Sequence, residues 1–126
     1  MESKSLNYHE KLKAKNVLKL RELLKKLPPF AAEYFIGKND VISSRTKIAY
    51  AYDLIVFFEY IYDSDSKFQK TPIKEYKIDI LDEITRNDIL FYMEYLSYYE
   101  KDGKVFTNDE RGKARKLASL KSFYHY

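Results

Sequence analysis

The sequence predicts an all-α protein, a bundle of helices around a single core, and two observations support this prediction. The first is hydrophobic spacing, because several long segments place apolar residues three and four positions apart, which is the period of an α-helix. The second is composition: in a chain of 126 residues, 45% are hydrophobic and 17% are aromatic, with 13 Tyr and 8 Phe but no Trp. A chain of this length and content can bury one core, and much of that core should consist of rings.

The N-terminal segment from Asn7 to Leu27 is amphipathic and predicts the first helix. Its apolar stripe consists of Leu12, Val17, Leu20, Leu24 and Leu27. The rest of this helix is strongly basic, with Lys11, Lys13, Lys15, Lys19, Arg21, Lys25 and Lys26. We interpret these cations as a solvated face whose lysine stems lie along the edge of the core, and contact with phosphate is the alternative.

A pair of prolines, Pro28 and Pro29, should end the first helix, because proline donates no backbone hydrogen bond and disfavours the α conformation in the residue before it. Proline is well suited to the first turn of a helix. A short second helix is therefore expected from Phe30 to Ile36, ending at Gly37.

The segment from Ser43 to Ile61 predicts the central helix of the bundle. Ser43 or Ser44 can cap its start by accepting a hydrogen bond from an unpaired backbone N–H. One broad apolar face is formed by Tyr50, Leu54, Phe57, Phe58 and Ile61, and further apolar residues lie outside it at Ile48, Ile55 and Val56. A helix that is apolar over most of its circumference should be packed on several sides.

The chain from 64 to 82 has no clear period and is expected to be a long connection that packs back against the bundle. Thr85 followed by Asp88 then has the form of a capping box, which should open a helix from Arg86 to about Tyr99. Its expected core positions are Ile89, Leu90, Met93 and Leu96, with further apolar coverage from Phe91, Tyr92, Tyr95, Tyr98 and Tyr99. We interpret these rings as core packing rather than as a platform for stacked bases.

A turn is expected at 101–104, followed by a last helix from about Asp109 to Tyr126 with Thr107, Asn108 or Asp109 as its cap. Helical spacing groups Ala114, Leu117, Leu120 and Tyr124 on one side, and places Arg111, Arg115, Ser119 and Ser122 on the other. Arginines interleaved with small hydroxyl residues suit close contact with the phosphates or guanine edges of duplex DNA. An ordinary solvated face explains the same spacing equally well.

Composition excludes several classes of function. Without cysteine there is no disulfide, thiolate metal site or cysteine nucleophile, and with only 3 Gly there is no Gly-rich phosphate loop. His9 and His125 lack metal-ligand companions, so no metal, cofactor or small-molecule ligand is expected. No apolar run approaches ~20 residues, so the chain is expected to be soluble, intracellular and without membrane contact. A net charge of +4 and a pI near 9.0 permit an anionic partner without requiring one.

Three patterns occur in a characteristic order along the chain. They are the central stretch with Thr46, Tyr50, Asp53, Leu54, Phe57 and Ile61, the phrase DEITRNDI from Asp82 to Ile89, and the run RKLASLKSFY from Arg115 to Tyr124. Together they resemble the N-terminal core-binding domain of tyrosine recombinases, the phage-integrase family. The resemblance spans roughly residues 43–126.

The resemblance implies a SAM-like bundle of four to five helices with an additional N-terminal helix. Residues 1–126 would form a single core-binding domain, with 1–42 as a helical extension and 43–126 as the core bundle. Such a domain clamps duplex recombination-site DNA for a separate catalytic domain that integrates or recombines DNA and that this chain lacks, so the chain itself is not expected to be an enzyme. A bacterial or phage-encoded protein acting at the cytoplasmic nucleoid is implied.

In such domains the second and fourth core helices face the duplex, which here are the helices beginning near Ser44 and near Asp109. The start of the first of these would contribute Ser43, Ser44, Arg45, Thr46 and Lys47, at a helix N-terminus whose free N–H groups and dipole favour phosphate. The last helix would contribute Asn108, Arg111, Arg115, Lys116, Ser119 and Lys121. The implied partners are double-stranded DNA and other copies of the parent protein on DNA, with this chain alone monomeric. The alternative is a helical protein-interaction module that does not bind DNA.

Overall fold

A bundle of α-helices with one small hairpin makes up the structure, a computed structural model that describes residues 7–37 and 42–124. In chain order the helices are α1 (Tyr8–Leu24), α2 (Pro29–Gly37), α3 (Ser44–Ser64), α4 (Ile80–Glu83), α5 (Arg86–Tyr95) and α6 (Glu110–Tyr124). Two 3₁₀ turns, Ser66–Lys70 and Ile73–Glu75, connect α3 to α4, and the antiparallel strands β1 (Tyr98–Lys101) and β2 (Lys104–Thr107) connect α5 to α6. The predicted all-α helical bundle is confirmed. The polar residues at 38–40 predict a loop before the central helix, and these residues and the last two of the predicted final helix lie outside the described residues.

Helix α1 begins with a capping box, in which the Asn7 side chain accepts from the Glu10 N–H at 2.8 Å and the Glu10 side chain accepts from the Asn7 N–H at 3.1 Å. The helix ends at Leu24, and α2 begins at Pro29, so the predicted break between the two helices at the prolines is confirmed. The predicted apolar stripe is only partly correct. Leu12 is 43% exposed, because the first two turns of α1 extend past the core, whereas Leu23, absent from the prediction, is buried.

Helix α3 is the central element, as predicted. Ser43 caps it by accepting from the Thr46 N–H at 3.2 Å. The helix packs against α1, α5, α6 and both 3₁₀ turns. Its buried apolar residues are Ala51, Leu54, Ile55, Phe57, Phe58 and Ile61.

Rings from four parts of the chain meet around Phe58, which is fully buried. The centroid of its ring lies 6.1 Å from that of Phe30 in α2, 6.1 Å from that of Tyr76 in the α3–α4 connection and 6.2 Å from that of Phe123 in α6. Edge and tilted arrangements of this kind add to the free energy of burial. The aromatic composition of the chain is thus concentrated in a core that joins α2, α3 and α6.

The connection between α3 and α4 packs back against the bundle, as predicted. Phe68 and Tyr76 are buried, and the Tyr76 hydroxyl donates to the Phe68 carbonyl at 2.7 Å. This hydrogen bond satisfies a phenol that would otherwise be buried without a partner.

Helix α5 opens with the predicted capping box, since the Thr85 hydroxyl accepts from the Asp88 N–H at 3.2 Å and the Asp88 carboxylate accepts from the Thr85 N–H at 2.7 Å. Within α5 Tyr92 is buried, and Leu96, the residue that follows the end of the helix, is also buried. The prediction of Leu90 as a core residue is wrong, because Leu90 is 54% exposed. The α5 helix is rotated so that Tyr92, rather than Leu90, faces α3.

The segment after α5 is a β-hairpin, so the prediction that the helix continues to about Tyr99 is wrong. Tyr98 pairs with Thr107 and Lys101 with Lys104, and the predicted turn lies between them. Both central turn residues have positive φ, 53° at Asp102 and 77° at Gly103, as a type I′ hairpin turn requires. The Asp-Gly pair and the flanking Tyr, Val and Phe residues favour two strands over a helix.

Helix α6 is capped by Asp109, whose carboxylate accepts from the Gly112 N–H at 2.8 Å. Its core side is rotated from the predicted one, since Ser119 and Phe123 are buried while Ala114 and Tyr124 are exposed. The Ser122 hydroxyl lies 2.8 Å from that of Tyr34 in α2. The prediction that both serines share the outward face with the arginines is therefore wrong. Across the described ranges, no helix has the length and apolar content needed to cross a membrane.

Candidate nucleic-acid interface

A groove of about 490 Å³ lies where α3, α6 and the hairpin meet. It brings together basic and aromatic side chains that are far apart in sequence. Its lining consists of Ala49, Tyr52, Asp53 and Val56 from α3, Tyr99, Lys101, Asp102, Lys104 and Phe106 from the hairpin, and Arg115 and Lys116 from α6.

Asp53 holds the two α6 cations of this groove. Its carboxylate is 6% exposed, and it accepts from Nη1 of Arg115 at 3.1 Å, from Nη2 of Arg115 at 3.4 Å and from Nζ of Lys116 at 3.1 Å. A buried carboxylate needs such partners, because an unpaired charge inside a protein is strongly destabilising. The two cations exceed the one anion, so this cluster leaves the groove a net positive charge.

The two cations differ in how much they present to solvent. The Arg115 side chain is 51% exposed, whereas that of Lys116 is 13% exposed. Lys116 is therefore largely enclosed with Asp53, and Arg115 is the cation of this pair that a ligand in the groove can reach.

The predicted site residues at the start of α3 differ in how far they are buried. Arg45 is exposed, but Lys47 is only 4% exposed and lies on the core side of the helix. Ser43 is engaged in capping, because its hydroxyl accepts from the Thr46 N–H and also donates to the Thr46 hydroxyl at 3.0 Å. Ser44 is half-buried. Arg45 is thus the basic side chain of this group that extends into solvent.

Arg45 lies on the same side of α3 as the groove. Positions 45, 49 and 52 are four and three residues apart, so they follow one another along one face of the helix. Ala49 and Tyr52 line the groove, and Arg45 stands one turn before them.

The predicted site residues of α6 also differ in exposure and in the cleft that they line. Arg111 is exposed, one helical turn before Arg115 on the same side of the helix. Lys121 is exposed as well, but it lines a different cleft beside the start of α5. Ser119 is 1% exposed and cannot reach a ligand from there. The amide of Asn108 donates to the Leu96 carbonyl at 2.9 Å, which gives it a structural contact at the end of α5.

Sequence reasoning missed the contribution of the hairpin. Lys101 and Lys104 both line the groove, and Phe106 adds an exposed ring. Lys101 forms an ion pair with Glu59 of α3, whereas Lys104 is exposed. The signal that could have found them is the Asp-Gly turn between residues with high strand propensity, because a hairpin there brings both lysines back toward α3.

Helix α1 reaches the rim of the groove through one lysine. Nζ of Lys19 lies 5.9 Å from the centre of the Tyr52 ring, a distance at which a cation is attracted to an aromatic face, and 3.9 Å from the Glu22 carboxylate. The predicted solvated face of α1 therefore includes a cation beside the candidate site.

The tyrosines behind the groove remain protonated at neutral pH. Burial raises the pKa of Tyr99 above its usual value of 10.0, and burial also raises the pKa of Tyr92, with the Asp53 charge as a second cause. Within the described ranges no cluster of His, Cys, Asp and Glu side chains could hold a metal ion. The charges that a ligand meets in this groove are those of its lysines, its arginine and its carboxylates.

Comparison with known proteins identifies a relative. No protein-family profile matches the chain, and no solved structure matches it. Tyrosine recombinase XerC of Caldanaerobacter subterraneus subsp. tengcongensis is 31% identical to the chain over 109 residues. The match covers 80% of this chain but only 29% of that protein, so the chain spans less than a third of the length of its relative. The family resemblance carried by the three ordered sequence patterns is confirmed: the chain is a relative of the tyrosine recombinases.

Proposed function

We propose that this chain is a DNA-binding module of a site-specific recombinase, which clamps duplex DNA at a recombination site for a separate catalytic domain. Its relationship to a tyrosine recombinase supports a role in DNA recombination. In this proposal the breaking and rejoining of DNA strands takes place in the catalytic domain, and several copies of the parent protein assemble on cytoplasmic DNA.

The observation that supports DNA contact most directly is the convergence of cations on the groove between α3, α6 and the hairpin. Four cations line it, Lys101, Lys104, Arg115 and Lys116, against the two carboxylates Asp53 and Asp102. A concave surface with excess positive charge attracts phosphates and raises the rate of encounter with DNA. The exposed Arg45 and Arg111 extend this positive surface along α3 and α6.

The proposed contacts follow from exposure. Arg45, Lys104 and Arg111 would bind phosphates, because each is exposed and none has an ion pair within the described ranges. Ser43, Ser44 and Thr46 would contribute through the N-terminus of α3 rather than through free side chains. We leave the buried Lys47 and Ser119 out of the proposed contact surface.

The test is a titration of the chain into a short fluorescein-labelled duplex of random sequence, followed by fluorescence anisotropy between about 50 and 200 mM salt. Affinity should fall steeply with salt, with a log–log slope of about −0.9 for each phosphate neutralised. Arg111→Gln and Lys104→Gln should each weaken binding and make the slope shallower by about 0.9.

The matched control is Lys77→Gln, which removes the same charge from an exposed lysine lining a different groove, beside α2 and the second 3₁₀ turn. It should leave both affinity and slope nearly unchanged. A slope near zero for the unmodified chain, or an equal loss in Lys77→Gln and Arg111→Gln, would contradict the proposed surface.

A second candidate function is a protein-interaction module, and the exposed side of α5 favours it. Leu90 is 54% exposed and Phe91 is 66% exposed, at consecutive positions of that helix. Sedimentation of the chain over a range of concentrations tests self-association through this face. Association that Phe91→Asp abolishes, together with no salt-dependent DNA binding, would replace the first proposal with the second.

A further inference from the structure

Arg115 differs from the other exposed cations of the groove because a buried carboxylate fixes its guanidinium group. Asp53 lies in the middle of α3, the central helix, and accepts from both terminal nitrogens of Arg115, at 3.1 and 3.4 Å. Lys116, from the next position of α6, donates to the same carboxylate at 3.1 Å and helps to hold it in place. The long arginine side chain therefore loses its freedom when the protein folds rather than when it binds a ligand.

This geometry leaves a specific set of donors free. A guanidinium group carries five N–H donors in a fixed plane. Asp53 takes one from Nη1 and one from Nη2, on the outer edge. The adjacent edge, made by Nε–H and the second N–H of Nη2, presents two parallel donors, and Nε has no hydrogen bond to any of the residues that the structure describes. The side chain is half exposed to the groove.

Two parallel donors match the O6 and N7 acceptors that guanine presents in the major groove. Phosphate can accept the same pair of donors, but the surroundings favour the base. The Asp53 charge offsets the attraction of Arg115 for an anion, whereas Arg45 and Arg111 have no such neighbour within the described ranges and suit phosphate better. Ala49, Tyr52 and Phe106 add apolar surface around Arg115, which suits contact with base edges and sugars.

We propose that Arg115 is a specificity-determining residue that reads a guanine in the major groove, and that Asp53 is the positioning residue that orients its guanidinium group. This inference rests on the proposed DNA-binding function and adds to it the base that is recognised and the means of recognition.

The experiment is a binding selection from a library of random-sequence duplexes, performed with the unmodified chain, Arg115→Lys and Asp53→Asn. The unmodified chain should enrich a guanine at one position. Replacing that G·C pair by A·T in a selected duplex should weaken binding at least about fivefold. Arg115→Lys should lose this preference but keep the salt dependence, because the charge is retained while the paired donors are lost.

Asp53→Asn separates positioning from simple structural support. If Asp53 orients Arg115, this variant loses the guanine preference while its affinity for random duplex is equal or higher, because a negative charge has been removed from the groove. If Asp53 only supports the fold, the variant melts at a lower temperature but retains the preference. The matched control is Arg86→Lys, the same change at an exposed arginine lining a different cleft, which should leave the preference intact.

Each outcome decides the inference. It is overturned if the unmodified chain binds DNA without a guanine preference, or if Arg115→Lys or folded Asp53→Asn retains that preference, and in those cases the proposed function stands. If circular dichroism shows that Asp53→Asn does not fold, the result for Arg115→Lys decides the inference alone. This variant keeps a cation beside the Asp53 carboxylate, so the carboxylate is not left unpaired. If the unmodified chain binds no duplex at all, the proposed function fails and this inference fails with it.

Discussion

Replacing Phe58 with alanine should lower the free energy of unfolding by about 3–5 kcal/mol, the range for removing a buried ring from a core. Phe58 is fully buried, and the centroids of its ring neighbours lie 5.5 Å away at Phe57 and 6.1–6.2 Å away at Phe30, Tyr76 and Phe123. Four rings lose a partner at once, so we expect a value in the upper half of the range. Aromatic pairs are each worth about 0.5–1.5 kcal/mol beyond their area.

The assay is urea unfolding followed by circular dichroism. With a denaturant slope of about 1–3 kcal/mol per molar urea, the midpoint should fall by at least about 1 M. Phe91→Ala is the matched control, because the same substitution is made in α5 at a ring that is 66% exposed, and it should change stability by less than about 0.5 kcal/mol. A loss below about 1 kcal/mol for Phe58→Ala, or equal losses for both variants, would refute the placement of these rings.

Three further predictions concern local features. Burial raises the pKa of Tyr76 to about 12, above the value of 10.0 expected in the unfolded chain. The unfolded state therefore releases this proton first, and stability that is fully present below about pH 10 should be lost as the pH rises toward 12. An unchanged urea midpoint across this interval would contradict the prediction. Gly103→Ala should cost about 1–2 kcal/mol in thermal unfolding because φ at this position is +77°, whereas Gly103→Asn should cost less. Thr85→Ala should cost about 1 kcal/mol by removing the cap that accepts from the Asp88 N–H, and Thr85→Ser, the control, should melt like the unmodified chain.

The features that the sequence predicted well depend on neighbouring residues. The cap at Ser43 and the box at Thr85 and Asp88 involve residues three positions apart, so the side-chain pattern specifies the contact directly. The central position of α3 follows from the spacing of apolar residues over most of its circumference. These predictions needed no knowledge of where the rest of the chain lies.

The rotation of α6 could not be predicted in this way. The predicted core face consists of Ala114, Leu117, Leu120 and Tyr124. The observed one consists of Ser119, Leu120 and Phe123, and both sets have helical spacing. Contacts with another helix decide between them, because the Phe123 ring stacks on Phe30 at 5.9 Å. The hairpin was missed for a related reason: a tyrosine-rich segment fits a helix surface as well as a strand, and pairing with Lys104–Thr107 settles which one forms.

The candidate site was predicted only in part for the same reason. Arg111 and Arg115 stand out in the last helix because of their type and spacing. The contact between Arg115 and Asp53 could not be predicted in this way, because the two residues are 62 positions apart and no local pattern joins them. Lys101 and Lys104 enter the groove only because a hairpin returns them to α3.

The hydrogen bond between Asn108 and the Leu96 carbonyl has a consequence for how this fold can vary. It joins the end of α5 to the residue that precedes the α6 cap, across 12 positions, and so closes the intervening segment at its neck. The hairpin is this closed segment, and its turn at Asp102 and Gly103 lies at the end away from the closure. We therefore expect that residues added at Asp102 and Gly103 would lengthen the hairpin while α5 and α6 keep their spacing.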